Sequence, residues 1–159
     1  MIRKYLKRKI NNADKINDFL EKYNLPKIYF IFNRKLVVKG IYIGYFWAFI
    51  PMPMQFLGIF LSTLIFRFNV FVALLAILST NPITYPPIWF LEYKTGLFLL
   101  GESGIKNISL SVEWFMNNWD NIVYPLYIGS AFFSIFISAL IALIVNFLWK
   151  HSVLKERAN

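Results

Sequence analysis

The chain has no cysteine and a single histidine, His151, and only 16% of its 159 residues are charged. Without cysteine there is no disulfide framework, no thiolate metal site and no thiol nucleophile. One histidine near the C-terminal end makes a histidine-based metal or catalytic site improbable, and no metal or cofactor is expected. Acidic residues are scarce too: eight Asp and Glu stand against 17 Lys and Arg, for a net charge of +9. No cluster of acid, base and nucleophile is left from which an enzyme could be built. What fills the chain instead is apolar: 58% hydrophobic and 19% aromatic, with a mean hydropathy of +0.53. A soluble domain is about 45–50% apolar and about a quarter charged. The balance points to an all-α integral membrane protein.

The basic charge is unevenly placed. Residues 1–39 hold 11 of the 17 Lys and Arg, and residues 40–91 hold one charge, Arg67. The 1–39 segment reads as amphipathic helices over 1–25, ended by Leu25-Pro26, lying at the cytoplasmic interface on anionic lipid. A basic-aromatic platform for nucleic acid is not present, so no nucleic-acid partner is expected. Lys150, Lys155 and Arg157 close the chain, which places both termini on the cytoplasmic side.

The membrane domain is expected over 40–149. Gly40, Gly44 and Ala48 share one helix face and invite close packing. The stretch 51–87 opens on Pro51, Pro53 and Gln55, passes through Arg67 and Asn69, and closes on Asn81, Pro82, Thr84, Tyr85, Pro86 and Pro87. Its two apolar runs, 56–66 and 70–80, hold 11 residues each. Such a run covers about 16 Å as a helix, roughly half a bilayer core. The spacing predicts a re-entrant hairpin over 41–66 with its tip at Pro51–Gln55, and a broken span over 70–100. Residues 101–121 read as an external loop with an interfacial helix capped by Ser111, with Glu113 in its first turn. Residues 122–149 are 28 positions without a charge, a full transmembrane helix. Ser130, Ser134, Ser138, Ala142 and Asn146 recur on it at four-residue spacing and form a packing face.

The order Gly44, Pro51-x-Pro53-x-Gln55, Arg67-x-Asn69, Asn81-Pro82-x-Thr84, Pro86 or Pro87, Tyr93 and Gly96 resembles the bacterial membrane family called domain of unknown function 2062, over about residues 25–149. The family commonly has glycine where this chain has Met54. The resemblance implies a bacterial inner-membrane protein, and family members fused to glycosyltransferase domains link it to envelope polysaccharide or polyprenyl-lipid chemistry. The 39-residue head shows no Asp-x-Asp element of such a domain.

The candidate ligand residues are Pro51, Pro53, Gln55, Arg67, Asn69, Asn81, Pro82, Thr84 and Glu92. Helix ends meeting at the breaks would offer unpaired N–H groups to an anionic lipid or solute, which is the expected function: its transport or handling in envelope biogenesis. The competing reading for Asn81 and Thr84 is that they cap the breaks they create. Glu92 is expected to pair with Arg67; failing that, it is a candidate for handling a proton or a cation. The alternative function is a non-catalytic subunit or scaffold of a larger membrane complex. A homo-oligomer or a membrane-protein partner is expected under either.

Overall fold

A computed structural model describes residues 32–52, 55–105 and 108–158. The regular structure among them is entirely helical, as composition predicts. The amphipathic helices expected over 1–25, and Pro53, lie outside the described residues.

Helix α1 spans Arg34–Ala48. It starts six residues before Gly40, so the expected boundary at 39/40 falls inside it. The local reason is Asn33, whose side chain accepts from the Leu36 N–H at 2.8 Å and caps the helix. Helix α2, Gln55–Ile65, folds back along α1. Trp47 Nε1 donates to Ser62 Oγ at 2.9 Å, and the Trp47 ring lies against Gly58. Ser62 Oγ and Thr63 Oγ1 return hydrogen bonds to the Gly58 and Phe60 carbonyls, as their place in an apolar helix predicts.

Helix α3, Val70–Leu78, runs beside α1 in the same direction. The Asn69 N–H donates to the Leu36 carbonyl, fixing where both helices start, and Tyr45 lies level with Ser79 at their ends. A β-carbon at Gly44 would stand 2.6 Å from the Ala73 carbonyl oxygen and Ala76 Cβ, while one at Gly40 would meet Asn69. The glycines therefore do what their spacing predicts: they let two helix backbones touch. Ile43, Ala48, Ile59, Phe68, Ala73 and Ile77 fill the core of this three-helix unit.

The second unit holds α4 (Tyr85–Leu100), α5 (Val112–Asn117) and α6 (Trp119–Phe132). Helix α4 ends at Gly101, in the left-handed conformation with φ 69°, while Glu102 N–H reaches back to the Leu97 carbonyl. Ser111 caps α5 through the Trp114 N–H, with Glu113 in the first turn, as expected. Tyr93, Leu97, Phe115, Ile122 and Leu126 form this unit's core. Where α4 and α6 cross, Gly129 presses on the main chain of Glu92 and Gly96 on the carbonyl of Pro125.

Helix α6 continues through a π-helical turn, Phe133–Ile137, into α7, Ser138–Ala158. Its stretch Trp119–Ser152, 34 residues, is the one helix among the described residues long and apolar enough to cross a membrane. It starts earlier and runs later than the 122–149 read from charge. Ser130, Ser134, Ser138 and Ala142 are buried along it. Helix α1 packs against it head to tail: Phe49 meets Phe133 edge to face, and Arg34 donates to Asn146 Oδ1 at 3.2 Å.

Candidate functional site

The chain breaks between α1 and α2 and again between α3 and α4, and the two breaks are built differently. At the first, α1 leaves carbonyls without helical partners. Gln55, nearly fully buried, closes them by donating from Nε2 to the Ala48 and Ile50 oxygens at 3.2 and 3.0 Å. Tyr127 holds the same loop from α6, its hydroxyl donating to the Pro51 carbonyl at 3.0 Å.

At the second break the polar residues satisfy one another. Asn81 Oδ1 accepts from the Ile83 and Thr84 N–H groups, and Thr84 Oγ1 accepts from the Asn81 N–H at 2.8 Å. The Tyr85 N–H bonds the Asn81 carbonyl, and Pro86 and Pro87 have no N–H to offer. The donors that the sequence reading held out to an anion are thus used within the turn or missing. Asn81, Pro82 and Thr84 shape the break. Replacing Asn81 with alanine is expected to cost about 1–2 kcal/mol, since its Oδ1 accepts from two N–H groups of the turn. A lowered thermal midpoint with unchanged ligand occupancy would be the result.

The first break nevertheless borders a cavity of about 520 Å³. Pro51, Met52 and Gln55 line it from the first break, Tyr85 and Trp89 from α4, and Met116, Trp119 and Tyr127 from α5 and α6. Tyr85 stacks on Trp89 with ring centroids 5.2 Å apart, and Trp119 meets Tyr127 edge to face. No charged side chain among the described residues lines this space. Of the candidates read from sequence, Pro51 and Gln55 reach it, joined by Tyr85. Trp89, Trp119 and Tyr127 were missed, although Tyr85 and Trp89 stand four apart at the start of α4, a spacing that puts both on one face.

The remaining candidates lie elsewhere. Arg67 is exposed. Asn69 is fully buried, caps α3 through the Val72 N–H at 2.9 Å and underlies Gly40. Glu92 is fully buried too, yet neither of its carboxyl oxygens has a hydrogen-bond partner among the described residues. The expected pair with Arg67 is therefore not formed: the Arg67 side chain is exposed between α2 and α3, whereas Glu92 is sealed where α4 crosses α6.

Against known proteins, the sequence profile of a family described as uncharacterized protein conserved in bacteria (DUF2062) matches residues 19–158. No curated protein and no solved structure matches.

Proposed function

On the premise that the chain belongs to the bacterial family DUF2062, matched over residues 19–158, we propose that it is an inner-membrane protein that holds a membrane lipid between its first helix break and the helices of its second unit. The observation that carries this reading is the aromatic cavity to which that break, α4, α5 and α6 contribute. Sites for small molecules are concave, mostly apolar and about 300–1,000 Å³ in volume, with a few placed polar groups. Here the polar groups are Gln55 and the hydroxyls of Tyr85 and Tyr127. Four aromatic rings and two methionines without a cation suit the apolar chains of a lipid and the start of its headgroup, not an isolated phosphate. The bound part is accordingly the hydrocarbon or polyprenyl chain, and the anionic headgroup projects outward.

The re-entrant arrangement has support from depth. Helix α1 starts beside Asn146 and ends beside Phe133, which stands 14 positions after Trp119 and 19 before Ser152 in the long apolar helix. If that helix crosses the bilayer, α1 climbs to its middle and the chain turns back there. Irregular backbone at that depth needs its polar groups satisfied by protein, and Gln55 and Tyr127 do this at the first break. Outside, α2 exposes Phe56, Leu57, Phe60, Leu61, Leu64 and Ile65, a surface fit for lipid tails or a second copy. Arg34 and Lys35 lie at the same end of the long helix as Lys150, and this cluster of basic residues supports a cytoplasmic side for that end.

Native mass spectrometry of gently extracted protein tests the reading. The wild type should carry a co-purifying lipid. Trp89→Ala is expected to weaken its retention about 10- to 100-fold, equivalent to about 1.4–3 kcal/mol, with helical content unchanged by circular dichroism. A lipid-free wild type, or full retention in the folded variant, would overturn it.

A further inference from the structure

Glu92 is the residue that lipid binding leaves unused. It sits in the middle of α4 with no exposed surface and no partner for either carboxyl oxygen. Its backbone has no freedom to carry the side chain elsewhere, because Gly129 abuts the Glu92 main chain and Gly96, one turn on, abuts Pro125. A bare carboxylate enclosed without donor or cation costs far more than a neutral polar group. Something must neutralise it.

The titratable groups on the elements packed there are Tyr85, Tyr93 and Lys94 of α4, Glu113 of α5, and Asp120, Tyr124 and Tyr127 of α6. None bonds Glu92. Tyr93 Oη accepts from the Ile105 N–H, the Tyr127 hydroxyl is committed to Pro51, and the Lys94 ammonium lies 5.8 Å over the Phe90 ring. A metal cation fits poorly. Hard cations gather about six or more oxygens, whereas no protein polar atom hydrogen-bonds either Glu92 oxygen, and no group of three His, Asp or Glu suited to a metal occurs among the described residues. A proton needs no further ligand.

We propose that Glu92 is a proton-binding site sealed in the seam between α4 and α6. The step is the formation of one O–H bond on the carboxylate, the proton coming from solvent water and returning to it. Since no atom of the side chain is exposed, exchange requires the seam to part. Trp89, about one turn earlier on α4, lines the aromatic cavity, so a seam that parts there communicates with it. The closed seam demands the neutral acid, and raising the pH therefore shifts the protein toward the parted form. This inference stands whether or not the cavity holds a lipid.

Infrared spectroscopy of the purified protein, with glutamate labelled with carbon-13 at its side-chain carboxyl, tests it. At neutral pH the spectrum should show the carbonyl stretch of a protonated acid, shifted by the glutamate label and lost in Glu92→Gln. It should persist in Glu102→Gln and Glu113→Gln. The thermal midpoint of the wild type should fall as pH rises, while that of Glu92→Gln stays level over the same range. Absence of the acid band, or its survival in Glu92→Gln, overturns the proposal. Should Glu92→Gln fail to fold, an acid band in wild-type protein that the glutamate label leaves unshifted overturns it equally.

Discussion

A single methyl group added at Gly129 is expected to destabilise the folded protein severely. The β-carbon of Gly129→Ala would overlap the main-chain carbonyl of Glu92, and one at Gly96 would overlap the carbonyl of Pro125. Overpacking costs about 1–3 kcal/mol where a side chain can yield. Here the obstacle is backbone on both sides, so α4 and α6 must separate along their length. We expect a loss of about 3 kcal/mol or more, a large share of the roughly 5–15 kcal/mol that holds a typical domain together. Gly101→Ala is the control. Gly101 has positive φ but no atom within 4 Å of the position a β-carbon would take, so its cost is confined to about 1 kcal/mol of backbone strain. Folded yield and thermal midpoint of the two variants, side by side, check the difference. Equal behaviour would mean that the crossing is looser than described.

Ser138→Leu is expected to be nearly as damaging. Ser138 is fully buried and its hydroxyl donates to the Ser134 carbonyl. Leucine would lose that bond and force the long helix away from α1, at a cost of about 3 kcal/mol. Ser152→Leu, at an exposed position on the same helix, should leave the midpoint within about 0.5 kcal/mol of wild type. The result also bears on the scaffold alternative. From Phe133 onward the long helix packs against the chain's own α1, so a partner protein would have to dock on another surface, such as the apolar outer side of α2. If Ser138→Leu folds normally and only loses a co-purifying protein, the face is an interface after all.

Much of the fold was legible because it rests on local chemistry. Proline pairs and Asn or Ser caps interrupt helices wherever they stand, so the breaks near 51–55, 67–69 and 81–87, and the Ser111 cap, could be read one residue at a time. The start of α1 was misplaced because Lys35 and Lys39 suggested an interfacial segment. On an exposed helix face they are ordinary, and Asn33 was the signal to follow. The cavity was harder to foresee. Its lining comes from four segments of the chain, and only Pro51, Gln55 and Tyr85 advertised themselves. The enclosure of Glu92 was not legible, although a proton or cation role was read for it as the fallback, since it depends on Gly129 and Pro125, more than 30 positions away, and no local pattern joins those residues to α4.

The π-helical turn at Phe133–Ile137 has a consequence for phase. Residues four apart on an α-helix are offset by about 40°, so Ser130, Ser134, Ser138 and Ala142 would drift by about 120° around a regular helix and slide off any one neighbour. All four are nonetheless buried, and the wider turn, which absorbs a surplus residue, winds the drift back. The strict four-residue rhythm and the bulge are therefore one feature. Deleting one residue from 133–137 would therefore relax the turn to a regular α-helix and leave both flanks in phase. Adding a further residue would instead rotate the whole C-terminal half by about 100°, carrying Asn146 away from Arg34 and presenting isoleucine and valine to α1 in its place.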